Sequence, residues 1–130
     1  MMIMDTVRKI NNELAIAGQI TPIQFQKITE DGYKSVLNLR SPDEKGLLDN
    51  EQDKLEFLGL RYINFPMKFE EINNLTTLQI LQTINELPKP LLIHCDNSIR
   101  SSVLALLYVA TKQGITFEKA LELSSNLGLI

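Results

Sequence analysis

Four short apolar segments, at residues 14–17 (LAIA), 35–39 (SVLNL), 61–65 (RYINF) and 91–93 (LLI), recur along the chain, and each is followed by a longer stretch of helical periodicity. Strands that alternate with helices in this way build a parallel or mostly parallel sheet with helices packed on both faces, because a parallel crossover needs a dozen or more residues and must bury its helix against the sheet. A chain of 130 residues with 44% of them hydrophobic can cover such a sheet once, so a single domain over residues 1–130 is expected. Ligands in sheets of this kind bind beyond the C-terminal strand ends, where loops lead into helix N-termini.

The punctuation between these segments is chemically specific. Thr21-Pro22-Ile23-Gln24 has the form of a capping box, with Pro in the first helical position, and predicts a helix to about Asp31. Residues 41–46 read as a turn and 48–58 as a helix stopped by Gly59, while Pro66 ends the third strand. Asn74 is placed to cap a helix over 75–86 with Leu78, Leu81 and Ile84 near one face, ended by Pro88 and Pro90. Residues 99–112 are apolar nearly all round, so Val103, Leu104, Leu106, Leu107 and Val109 are assigned to the core. Thr116 is expected to cap a last helix that carries Phe117, Ala120, Leu121 and Leu127 inward.

Thirteen Lys and Arg against sixteen Asp and Glu leave a net charge of -3, which provides no basic field for a nucleic-acid backbone. No segment approaches the roughly 18 consecutive apolar residues of a membrane span. The start, MMIMDTVRKINNE, has too short an apolar run for a secretory leader. A lone Cys suits a reducing compartment, so a cytoplasmic location is expected. The chain holds one Cys and one His, and they are neighbours, His94 and Cys95. A Cys/His zinc centre, an internal disulfide and a His-based triad elsewhere in the chain are thereby excluded, and neither metal nor cofactor is expected.

Residues 91–102 (LLIHCDNSIRSS) read as a buried strand, a short polar loop and the first turn of a buried helix. A thiol at the strand end would face the positive end of that helix, whose unpaired N–H groups stabilise an anion, so Cys95 is expected to be a nucleophile with a lowered pKa. The N–H groups of Asp96, Asn97, Ser98, Ile99 and Arg100 would form a cradle for an oxyanion, with the Arg100 fork closing over two of its oxygens. Ser101 can offer its hydroxyl to the sulfur. His94 would sit beneath the loop with its ring bonded to backbone. Glu44 reads as the partner of Ser41 in a capping box, Ser41-Pro42-Asp43-Glu44.

His94-Cys95 followed by Arg100-Ser101 resembles the signature of the cysteine-dependent phosphatases, the protein tyrosine and dual-specificity superfamily, whose loop runs His-Cys, five residues, Arg, then Ser or Thr; here four residues intervene. That shorter spacing is similar to the small bacterial phosphatase-like family whose domain also occurs fused to beta-lactamase-type hydrolases. The likeness extends over residues 14–19 (LAIAGQ), 32–40 (GYKSVLNLR), Glu44, 59–63 (GLRYI), Pro66, 112–116 (KQGIT) and Ala120. The resemblance implies a three-layer phosphatase-like α/β fold with a central sheet of four to five strands. It also implies a phosphomonoester substrate attacked by Cys95, with Arg100 on the phosphoryl oxygens and Gln19 and Glu44 supporting the site. Where the family has Gly in the loop, Ser98 stands here, and Asp96 puts a like charge beside the nucleophile. Related phosphatases draw a general-acid Asp from a loop corresponding to residues 65–74, which holds none; Glu71 and Asp96 are the candidates.

Two other functions are compatible with the loop. Cys, four residues, Arg and Ser is also the spacing of rhodanese-like sulfurtransferases, in which Cys95 would carry a persulfide. A non-catalytic module binding a small oxyanion or a partner would keep the cradle and dispense with the acid.

Overall fold

The computed structural model describes residues 7–44, 50–68, 70 and 75–126. In chain order the elements are β1 (Arg8–Lys9), β2 (Leu14–Ala17), α1 (Pro22–Glu30), β3 (Ser35–Asn38), α2 (Glu51–Phe57), β4 (Arg61–Asn64), α3 (Leu75–Glu86), β5 (Leu91–His94), α4 (Ile99–Lys112) and α5 (Phe117–Asn126). The five strands form one sheet in the order β1-β2-β5-β3-β4. Every pairing is parallel except that of β1 with β2 at the edge.

Side chains alternate across the sheet and sort into two cores. Leu14, Ile16, Leu37, Leu91 and Ile93 pack with α3, α4 and α5, whereas Ala15, Ala17, Val36 and Leu92 pack with α1 and α2. The result is the three-layer α/β arrangement that the strand and helix alternation implies. The central strand β5 is buried along its whole length, which explains why LLI carries no polar alternation. Helices α1 and α2 take the chain from β2 to β3 and then to β4 across one face, and α3 brings it back to β5 across the other, so the crossovers share one hand. This return places β5 between β2 and β3, and its C-terminal end is flanked by the ends of both.

Local chemistry set most boundaries. Thr21 caps α1 as a complete capping box, with its N–H donating to Gln24 Oε1 at 2.8 Å and its Oγ1 accepting from Gln24 N at 3.4 Å. Gly59, at φ 94°, stops α2. Helix α2 starts later than the expected residue 48, because Asn50 stands before it in a left-handed conformation, φ 61°, that a right-handed helix cannot include. Residues 48 and 49 lie outside the described residues, as do Asn74 and Leu127. Thr116 Oγ1 accepts from Lys119 N at 3.1 Å and caps α5, and Phe117, Ala120 and Leu121 pack inward.

Two core assignments need correction. On α3 the buried stripe is Thr77, Ile80, Leu81 and Ile84, and Leu78, nearly a third of a turn off its centre, is 42% exposed. On α4, Leu106 is 41% exposed on the flank that the sheet leaves uncovered. Strand β1 has no sequence signal, since Arg8 and Lys9 are both exposed. It forms because Asn11 Oδ1 accepts from the N–H groups of Glu13 and Leu14 and turns the chain back on β2. Among the described residues no helix is long and apolar enough to cross a membrane.

Ile93 is fully buried at the centre of β5. Ile93→Ala should lower stability by about 2–5 kcal/mol, read as a fall in the urea midpoint at unchanged m-value.

Candidate active site

His94 ends β5, residues 95–98 form the loop, and α4 begins at Ile99. The loop turns through Ser98, at φ 71°, the place where the family resemblance puts Gly; an L side chain there costs about 1–2 kcal/mol. The loop also lies tight against the end of β2. Cys95 N donates to Ala17 O at 3.2 Å and Gln19 N donates to Asp96 O at 3.1 Å. A Cβ on Gly18 would stand 2.8 Å from Asp96 O, so only glycine allows this approach.

The Cys95 side chain is fully buried and belongs to the larger core. Its Sγ lies 3.5 Å from Ser101 Oγ, the contact expected of the Ser after the Arg. Ser101 Oγ also stands 3.1 Å from both Ala17 O and Ser98 O, so three acceptors surround a single hydroxyl proton.

Arg100 is 6% exposed and held on three sides. Its Nη1 donates to Glu44 Oε2 at 3.0 Å and to Met67 O at 2.9 Å, and its Nη2 donates to Glu44 Oε1 at 2.8 Å and to Asp96 Oδ1 at 3.1 Å. The fork thus meets the Glu44 carboxylate with two parallel bonds. The hydrogen bonds from Arg100, helped by Ser41 N–H and Arg40, outweigh burial and hold the Glu44 carboxyl down at about 2 against an ordinary 4.5. Glu44 does accept from Ser41 N at 2.8 Å, as a capping box would have it. Its principal partner, however, is Arg100, 56 positions away, and no pattern within the 41–44 turn signals that.

Within the cradle the loop's own side chains already act as ligands. Asp96 Oδ1 accepts from Asn97 N at 2.8 Å as well as from Arg100, and Asn97 Oδ1 accepts from Ile99 N at 3.1 Å. A carboxylate oxygen therefore stands between an N–H and a guanidinium, the two donor types an oxyanion would use. The N–H groups of Arg100 and Ser101, in the first turn of α4, have no acceptor within the helix.

The lone imidazole is bound differently from the expectation that it bonds backbone. His94 is fully buried, its Nε2–H donates to Glu51 Oε2 at 2.7 Å, and its Nδ1 lies 3.4 Å from Cys95 O. Burial of Glu51 opposes its ionisation, but hydrogen bonds from His94, Gln19 and Tyr62 outweigh it and the carboxyl pKa is lowered. Burial first, then the nearby Glu51 charge, drives the Tyr62 phenol up. Gln19 Nε2 donates to Glu51 Oε1 at 2.8 Å while its Oε1 accepts from Arg40 Nη1 at 2.7 Å, and Arg40 Nε donates to Glu44 Oε1 at 3.1 Å. Glu51 and Arg40 are the site residues that the motif alone does not reveal. Glu71 lies outside the described residues. Among the described residues no three His, Cys, Asp or Glu side chains stand together to hold a metal.

No family model matches the chain. It is 31% identical over 103 residues to the beta-lactamase hydrolase-like protein of Agrobacterium fabrum, a match that takes in 76% of this chain and 24% of that protein. The chain thus spans about a quarter of the length of the curated relatives it matches. Among solved structures it is similar to a candidate phosphatase of the DUF442 group from Shewanella putrefaciens, with TM-score 0.75 and 21% identity over 88% of this chain and 74% of that one. It is also similar to a Cys-to-Ser variant of P. aeruginosa TpbA in complex with phosphotyrosine, with TM-score 0.71 and 17% identity over 89% and 69% of the two chains. The chain therefore has a phosphatase-like α/β fold.

Glu44 gives a pH signature. Its folded pKa of about 2 lies below the ordinary 4.5, so its contribution to stability is complete above that ordinary value and is lost as the pH falls through about 2. Urea midpoints followed from pH 5 to pH 2 should fall less steeply in Glu44→Gln than in the natural chain. Gly18→Ala should displace the 95–98 loop, read as a lower melting temperature and shifted amide signals of residues 95–101.

Proposed function

We propose that the protein is a cysteine-dependent phosphatase acting on a phosphomonoester. One observation carries the proposal: Cys95 on the β5–α4 loop meets Arg100 and Ser101 of the first turn of α4 at the end of the sheet, with Sγ beside Ser101 Oγ and the guanidinium fixed by Glu44, in a fold shared with a candidate phosphatase. Sγ attacks phosphorus in line with the leaving oxygen, an S–P bond forms, the P–O bond breaks, and the leaving alkoxide takes a proton from a general acid. Water then attacks the phosphocysteine and gives a proton to the conjugate base of that acid, the S–P bond breaks, and inorganic phosphate leaves while Ser101 donates to the departing sulfur. The N–H groups of residues 96–100 and Arg100 stabilise the equatorial oxygens in both steps. Gln19, His94 and Glu44 support the loop, and the chemistry requires neither metal nor cofactor.

Asp96 must leave the cradle for the phosphoryl group to enter, because its Oδ1 holds both Asn97 N–H and Arg100 Nη2. Its side chain is 48% exposed, so it has solvent to swing into. Once displaced, its carboxyl group stands at the rim and, with Glu71, is a candidate for the acid. The phosphotyrosine bound to TpbA supports a phosphorylated substrate here. A non-catalytic phosphate-binding module is the second assignment, favoured by the filled cradle and the full burial of Cys95.

Purified protein assayed with an aryl phosphate should release phosphate, and Cys95→Ser should lower the rate by at least ~10³-fold. Arg100→Ala should cost about 10²–10³-fold. Turnover with thiosulfate and cyanide alone would mark a sulfurtransferase, and phosphate binding without turnover would mark the second assignment. Asp96→Asn should tighten inorganic phosphate binding about tenfold, or ~1.4 kcal/mol, by calorimetry.

A further inference from the structure

Hydrogen bonds link the two ends of the anion loop through the protein interior. The path starts at His94, the neighbour of Cys95, and runs from His94 Nε2 to Glu51 Oε2 at 2.7 Å and from Glu51 Oε1 to Gln19 Nε2 at 2.8 Å. It continues from Gln19 Oε1 to Arg40 Nη1 at 2.7 Å, from Arg40 Nε to Glu44 Oε1 at 3.1 Å, and from that same oxygen to Arg100 Nη2 at 2.8 Å. The ring closes at the loop itself, because Arg100 also donates to Asp96 Oδ1 and Asp96 O accepts from Gln19 N.

Between Glu51 and Arg100, Gln19 is the one neutral side chain on this path, and its chemistry dictates its orientation. A carboxylate only accepts and a guanidinium only donates, so the amide must turn its NH₂ to Glu51 and its oxygen to Arg40. Its second N–H is used as well, by Ile20 O at 3.0 Å. An ionised carboxylate there would lack the donor that faces Glu51, and a cation would lack the acceptor that faces Arg40. The Glu51 carboxylate is buried, and a second carboxylate placed beside it would face it across about 2.8 Å, the Gln19 to Glu51 distance.

We propose that Gln19 and Glu51 are positioning residues for the anion loop, with the Gln19 amide as a polar adaptor that couples the His94–Glu51 pair to the Arg40–Glu44–Arg100 pairs, so that His94, which precedes Cys95, and the Arg100 fork are held in place together. The proposal rests on the phosphate-binding role given to the loop, and neither residue touches the phosphoryl group. Its distinguishing property is polarity: the path works with a donor facing one acid and an acceptor facing one base, whichever position carries the charge. Exchanging the two residues, Gln19→Glu with Glu51→Gln, keeps composition and net charge. It also keeps the path intact, since Gln at 51 can accept from His94 and donate to Glu at 19, and Glu at 19 can accept from Arg40.

The test measures inorganic phosphate affinity by calorimetry and the ring ¹⁵N signals of His94, which are unambiguous because the chain has one His. Gln19→Glu and Glu51→Gln singly should each weaken phosphate binding about tenfold or more and shift the His94 signals. The exchanged double variant should return to within about threefold of the natural chain and restore those signals. If either single variant does not fold, Gln19→Asn, which shortens the amide without adding charge, takes its place and should weaken binding likewise. Single variants that bind as tightly as the natural chain, or a double variant no better than the weaker single one, would overturn the proposal. A natural chain that binds no phosphate would sink the function proposed above. In that event the His94 signals judge the adaptor by themselves: unchanged signals in Gln19→Glu, or shifted signals that the exchange does not restore, overturn it.

Discussion

A guanidinium cannot shed its proton, so Arg100, almost wholly buried, must find an anion and enough acceptors inside the protein or expel itself from the fold. Glu44 supplies the anion in a two-point pair, and Met67 O and Asp96 take further donors. Much of the surrounding architecture follows from satisfying this one charge. The 41–44 turn is fixed because Glu44 also accepts from Ser41 N–H and Arg40, and Asn38 and Asn64 at the ends of β3 and β4 bind the backbone around Arg40. The pair contributes geometry as well as stability, although desolvation of Arg100 offsets part of the attraction.

The elements were legible in the sequence where they are determined by neighbours in the chain. The Thr21–Gln24 box, the Gly59 stop and the alternation of LAIA, SVLN, RYIN and LLIH read directly into structure. Strand β1 was not legible, because two exposed cationic residues pair with β2 only after Asn11 turns the chain. Leu78 and Leu106 show the other limit: an apolar residue on a helix flank has the right periodicity within a residue or so, but only the packed sheet decides which edge of the stripe is covered.

The site divides along the same line. Cys95, Arg100 and Ser101 were legible as a strand-loop-helix constellation, and Ser98 as the residue standing where Gly is usual, which its left-handed backbone matches. Of the partners of that constellation, Glu44, 56 positions from Arg100, was reached only through the family resemblance, and Glu51, 43 positions from His94, was not legible at all, since nothing in its local sequence marks it. Carboxylates of this kind are chosen by the charge they neutralise across space, and their own segments carry only ordinary helix-start or turn chemistry.

The Ala17 carbonyl, at the end of β2, receives both Cys95 N–H and the Ser101 hydroxyl, the latter from 84 positions away in the chain. The eight residues that carry the motif are therefore not a self-sufficient unit. A C-terminal piece holding β5, the loop and α4 would contain the Cys, the Arg and the Ser, and still lack the strand end that spaces them. The loop acquires its geometry only when the N-terminal strand docks beside β5, so the shape of the last third of the chain is in effect licensed by its first twenty residues.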